Sequence, residues 1–183
     1  IIATFSGIMI ALLVHSLRYP SAPAVRDDKK HITCVGDSIT FGSGVPLTHT
    51  WQSYPAYLQK LVPDDYQVLN YGLSGRTLLS SGDMPYVKES FYPLTLDCQA
   101  DVYVIMLGTN DSKTENWPKA GKNGEEYAKE LKELIIRYLS LPNGPKVYVM
   151  QPPKVFADGK FNISDDVVSS TIHDVIKRTA DEC

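Results

Sequence analysis

Three short stretches of this chain hold residue types suited to acyl chemistry: Gly36-Asp37-Ser38, Asn70-Tyr71-Gly72 and Gly108-Thr109-Asn110-Asp111. A serine hydroxyl attacks an ester carbonyl, and the charge that builds on the carbonyl oxygen needs fixed donors beside it. Ser38 is the candidate nucleophile. The small and amide residues of the other two stretches are candidates for two oxyanion donors. Each stretch also has a plainer reading. Gly-Asp-Ser can turn the chain with Ser38 capping a helix, Gly72 can end a strand, and Asn110-Asp111 can form an Asx-turn. All three at successive strand ends point to an acyl-ester hydrolase.

The elements that must position them are visible as periodicity. Residues 31–36 are an apolar run that reads as a buried strand leading into the serine. Residues 51–62 carry Trp51, Tyr54, Leu58, Leu61 and Val62 at helical spacing. Residues 66–71 and 101–107 read as the second and third strands, the latter apolar on both faces as central parallel strands are. Residues 73–98, rich in Gly, Ser and Pro, predict a short helix among loops. A helix over 124–141 presents Tyr127, Leu131, Leu134, Ile135 and Tyr138 as one stripe, and Asn143-Gly144-Pro145 stops it. Residues 146–151 form a fourth strand, and Ser164 is an N-cap for a last helix through Ala180. This order predicts an α/β fold, with a central parallel sheet between two helical layers. The three stretches then meet at the carboxyl edge of the sheet, where such folds build sites.

Other chemistries fit poorly. Gly36-x-Ser38-x-Thr40 lacks the final glycine of a nucleophile elbow, no Gly-Lys-Ser/Thr follows, and Gly42-Ser43-Gly44 lacks the third glycine of a dinucleotide fingerprint. A net charge of −3 over 183 residues gives no electrostatic case for nucleic acid. The three cysteines are too few for a disulfide scaffold and lack metal-ligand spacing, although Cys98 and Cys183 remain available to pair. Trp51 and Trp117 read as core or rim packing rather than sugar platforms.

The strand-end stretches resemble the first three blocks of the SGNH hydrolases, also called GDSL esterases, in order and spacing. Thr77-Leu78-Leu79, Gly82-Asp83-Met84-Pro85-Tyr86, Asp111-Ser112-Lys113 and Asn116-Trp117 resemble the bacterial sialate O-acetylesterase-like branch of that superfamily. The resemblance implies a flavodoxin-like three-layer fold and no metal or cofactor. It implies Ser38 as nucleophile, with the oxyanion held by the N–H groups of Ser38 and Gly72 and the side-chain amide of Asn110. The implied substrates are acetyl esters of carbohydrate, O-acetylated sialic acid among them. A non-catalytic glycan-binding domain and a lipid or thioester hydrolase are the alternatives.

The same resemblance implies a general base in a late Asp-x-x-His, after a final strand and before a closing helix. No Asp-x-x-His occurs in this sequence. The expectation is therefore a hydrolase domain over residues 25–183 that lacks its last strand and helix and is inactive by itself. Residues 1–17 contain no charged side chain, and Ala22 and Ala24 fit the −3 and −1 positions of a signal-peptidase site. Residues 1–24 are thus expected to be a signal peptide or membrane anchor, with the protein secreted, periplasmic or anchored outside the cytoplasm. Residues 1–17 fall short of the ~20 apolar residues of a full span.

Overall fold

A computed structural model describes residues 20–183; the apolar stretch over 1–17 lies outside the described residues. Four strands, β1 (Lys30–Gly36), β2 (Tyr66–Gly72), β3 (Val102–Met106) and β4 (Lys146–Val149), form one parallel sheet in the order β2-β1-β3-β4. The register sets Gly36 level with both Gly72 and Met106, so three neighbouring strands end side by side. This levelling brings the three sequence stretches to one edge.

Side chains alternate across each strand. Val35, Leu69, Tyr71, Tyr103 and Ile105 point to one face. There they meet α5 (Glu125–Leu139) and α6 (His173–Asp181). The stripe of α5 predicted from the sequence is buried in full, and Tyr138 stacks on Tyr103 at 4.1 Å. Ile32, Cys34 and Val104 point to the other face and pack against Tyr54 and Leu58 of α3 (Tyr54–Gln59). Burial pushes the Cys34 thiol up to about 12, so this cysteine behaves as a small apolar side chain. Helices thus cover both faces of a parallel sheet, the three-layer α/β fold expected.

Two elements differ from the sequence expectation, the helix over 51–62 and the start of the last helix, while the region 73–98 holds the short helix among loops expected of it. The helix predicted over 51–62 is two pieces, α2 (His49–Gln52) and α3, separated by the extended Ser53. Pro55 cannot donate to the carbonyl of Trp51 as a continuous helix requires; the Lys60 ammonium donates to that carbonyl instead, at 3.3 Å. The region 73–98 contains α4 (Phe91–Asp97), preceded by one 3-10 turn at Tyr86–Lys88. The last helix opens with a π-helical segment, Val167–Ile172, before α6. Ser164 caps it as predicted, its hydroxyl accepting from the Val167 N–H at 3.3 Å. Cys34, Cys98 and Cys183 are all free thiols. No helix among the described residues is long and apolar enough to cross a membrane.

Candidate active site

The serine end of the site is built locally. After β1, Asp37 caps α1 (Ser38–Phe41), its Oδ1 accepting from the Ile39 N–H at 2.9 Å. Capping therefore falls to Asp37, not to Ser38, and the serine hydroxyl is spared for other use. Ser38 is half-buried at the first position of α1, and among the described residues neither its hydroxyl nor its N–H has a hydrogen-bond partner. Its carbonyl accepts from Gly42 and Ser43 N–H groups at 3.0 and 2.9 Å, which closes the turn behind it. Two glycines let α1 lie directly on the strand ends. A Cβ on Gly36 would stand 2.0 Å from Thr40 Oγ1, and one on Gly72 would stand 2.2 Å from the Phe41 nitrogen.

The donors are arranged differently from the sequence expectation. The N–H of Gly72 donates to Asn70 Oδ1 at 2.9 Å, so the donor assigned to the oxyanion is already committed. The Asn70 amide in turn donates to the Thr40 carbonyl at 3.0 Å, and Gly72 serves the packing of β2 on α1. The chain then turns at Leu73-Ser74-Gly75-Arg76. The Leu73 N–H donates to the Gly36 carbonyl at 2.9 Å, and the Arg76 N–H closes on the Leu73 carbonyl at 3.4 Å. Gly75 has φ +87°, the value the third residue of a type II turn requires. Its N–H has no partner among the described residues. Reading Ser74-Gly75 as a turn would have singled it out from sequence.

Asn110 joins the two ends. Its Nδ2 donates to the Arg76 carbonyl at 3.1 Å and to Asp37 Oδ2 at 3.3 Å, the second contact long for a charge-assisted bond. The neighbours of Ser38 and of Gly75 thus share one amide. Beneath them Asp111 is fully buried and accepts from the Leu78 and Leu79 N–H groups at 3.0 and 2.8 Å. Burial pushes the Asp111 carboxyl up to about 7, against the pull of those two donors. Burial likewise pushes Asp37 up to about 6, opposed by the Ile39 N–H.

The residues that carry the branch-level resemblance complete this support. Asp83 accepts from the Asn116 amide at 2.8 Å and pairs with the Lys113 ammonium at 2.9 Å, while Asn116 also donates to the Asn110 carbonyl at 2.9 Å. Trp117 packs near Tyr127, ring centroids 6.2 Å apart, whereas Trp51 is 54% exposed.

No hydrogen bond among the described residues joins Ser38 to a histidine. His31 Nε2 bonds to the Arg26 carbonyl before β1, at the sheet end remote from the site. His49 stacks on Phe41 at 4.3 Å, and burial holds its ring below the usual imidazole range. His173 Nε2 donates to the Pro152 carbonyl at 2.7 Å.

A parallel α/β/α fold with a serine and a ring of amide donors at its strand ends defines an acyl-hydrolase class. The model of the GDSL-like lipase/acylhydrolase family matches residues 34–182, and the chain belongs to that family. It is 36% identical over 169 residues to the acetylxylan esterase of Xylanibacter ruminicola, an alignment covering 83% of this chain. The chain spans 34% of that protein's length. Among solved structures, a carbohydrate acetylesterase family member from Sinorhizobium meliloti is 26% identical with a TM-score of 0.63, covering 84% of this chain and 79% of that one. The native aryl esterase of M. smegmatis, at 22% identity and a TM-score of 0.60 over 84% of this chain and 80% of that one, shares the fold.

Proposed function

We propose that this chain carries the nucleophile and oxyanion machinery of a serine esterase that removes acetyl groups from carbohydrate. The observation that carries this reading is Ser38: half-buried at the start of α1, with hydroxyl and N–H both unclaimed, one residue from an Asp37 that contacts Asn110. Ser38 Oγ attacks the acetyl carbon and gives up its proton. The N–H groups of Ser38 and Gly75, and the Asn110 amide on leaving its long contact with Asp37, stabilise the tetrahedral oxyanion. The sugar alkoxide departs with a proton, and water hydrolyses the acetyl-enzyme.

In this reading the base that moves these protons lies outside His31, His49 and His173, a placement supported by their contacts with Arg26, Phe41 and Pro152. The 183 residues by themselves are therefore expected to turn over slowly, at the level that donors without a base supply. The acetylxylan esterase and the carbohydrate acetylesterase among the relatives support sugar acetates over lipids or thioesters. The residues that suggested O-acetyl sialic acid tie the 77–86 loop to Asn110, so their presence has a structural reason independent of substrate. The preferred substrate in this reading is an acetylated plant-type polysaccharide.

Export belongs to the same reading, supported by the uncharged 1–17 stretch. The Ala24 carbonyl accepts from the Gln67 amide at 2.8 Å and Ala24 is exposed, ahead of the expected new terminus at Val25. Labelling the full-length protein with a fluorophosphonate and mapping the adduct tests the nucleophile. Ser38 is expected to bear the label, and acetate release from acetylated xylan is expected to exceed that from 9-O-acetyl sialic acid. An unlabelled Ser38 in a folded, active enzyme overturns the assignment, and amino-terminal sequencing decides cleavage.

A further inference from the structure

Arg76 is the largest fully buried side chain among the described residues, and it lies beside the turn that bears Gly75. A buried guanidinium requires partners for its charge and its donors. Its Nε and Nη2 both reach Glu89 Oε1, at 3.1 and 3.0 Å, and Nη1 donates to the Ser74 carbonyl at 2.6 Å. Ser74 and Gly75 share one trans peptide plane, in which C=O and N–H point in opposite directions. Whatever fixes the Ser74 carbonyl therefore fixes the Gly75 N–H, which is the unclaimed one. The charged donor on the carbonyl also polarises the peptide and makes its N–H a stronger donor.

We propose that Arg76, anchored by Glu89, is a positioning residue that aims and polarises the Gly75 N–H as an oxyanion donor, through the Ser74–Gly75 peptide. The inference rests on the esterase reading above. Neither residue touches substrate. Without the guanidinium the Ser74–Gly75 peptide is free to rotate, because a glycine at the third turn position tolerates either orientation. The Asn110 contact to the Arg76 carbonyl does not prevent this, since it holds the Arg76–Thr77 peptide, two along the chain, rather than the one in question.

The test compares Arg76→Lys and Glu89→Gln in the full-length enzyme, with p-nitrophenyl acetate as substrate and glycine-selective 15N labelling. The expected kcat loss is about 10- to 100-fold for Arg76→Lys and smaller for Glu89→Gln, with KM within about twofold in both, because the donor acts in the transition state. The Gly75 amide resonance is expected to move upfield in both variants while most other glycine amides stay in place. That shift is a readout that general destabilisation does not produce. Unchanged kcat in a folded Arg76→Lys protein with an unmoved Gly75 resonance overturns the proposal. If Arg76→Lys fails to fold, Glu89→Gln gives the same decision from the far end of the ion pair. Ser38→Ala separates the two levels: retained turnover there sinks the esterase reading itself. A dead Ser38→Ala beside fully active Arg76 and Glu89 variants sinks only the role assigned to Arg76.

Discussion

The two halves of the candidate site are held in place by opposite means. On the serine side the support is a local cap and close packing: a strand ends, Asp37 caps α1, and Gly36 and, on the neighbouring strand, Gly72 let that helix rest on the sheet. On the amide side most of the support is long-range. Asn110 reaches back 34 residues to the Arg76 carbonyl, Asp111 reaches 33 and 32 to Leu78 and Leu79, and Asp83 and Asn116 are 33 apart. The first half depends on packing, and a substitution there acts on chemistry or on steric fit. The second half depends on buried polar groups that satisfy one another, and loss of one strands its partner in a medium where an unpaired group is costly.

The sharpest break in this comparison is Ser38→Ala. It is expected to reduce kcat of the full-length enzyme by about 10⁴-fold or more while leaving Tm within a few degrees, since the hydroxyl makes no internal hydrogen bond. Asn110→Ala comes next, with kcat down ~10²–10³-fold and KM little changed. Unlike the serine variant it is also expected to lower Tm, because the Arg76 carbonyl loses its donor. A kcat loss at Asn110 without any thermal penalty would erase the contrast between the halves.

Gly72→Ala probes the packing side. Its Cβ would meet the backbone of Thr40 and Phe41, which cannot swing away as a flexible side chain can, so a stability loss of about 3 kcal/mol is expected by denaturant titration. Activity per folded molecule is expected to survive better than in Asn110→Ala. A collapse of kcat in a stable Gly72→Ala protein would return the oxyanion role to Gly72. Asp111→Asn probes the polar side. The amide keeps the shape but sets an N–H against the Leu78 or Leu79 N–H, at a cost of about 1–3 kcal/mol.

The smallest effect is on pH. Burial raises the Asp37 and Asp111 carboxyls to about 6 and about 7, against ~3.9 in an unfolded chain. Between those limits the folded state binds more protons than the unfolded one. Stability contributed by these groups is therefore present at the acid end and is lost as pH rises through the window to about 7. Burial of His49 works the other way below its unfolded value of ~6.5, which flattens the total. Subtracting the Asp111→Asn curve from the parent isolates one carboxyl. Tm of the parent relative to the variant is expected to fall by a few degrees from pH 5.5 to pH 8, and a difference that is flat with pH would mean that Asp111 is ionised throughout.

The same contrast explains what was readable from sequence. A strand followed by Gly-Asp-Ser announces itself because its signals are adjacent, and the stripe of α5 because its period repeats over four turns. A glycine at a strand end looks like open space, but at Gly72 that space is filled by α1 and the N–H bonds to Asn70 Oδ1. Gly75 carries its signal in turn chemistry, a Ser-Gly pair following a strand. Arg76 gives no sequence signal for burial, since a lone arginine in a loop is ordinarily solvated and its charge partner, Glu89, lies 13 residues on. The broken helix at Ser53 has a visible cause in Pro55, which the apolar spacing around it masks.

The two proton-holding carboxyls have a consequence for the environment of the reaction. Each ester hydrolysed at neutral pH releases acetate and a proton. In a poorly buffered setting, such as the wetted surface of a polysaccharide, a working enzyme lowers its own local pH. Here, from neutrality down to the mid-fives, Asp37 and Asp111 take up those protons and the buried scaffold around the donors becomes firmer. If the chain acts as the proposed esterase, the protons its turnover releases act on the scaffold in the stabilising direction.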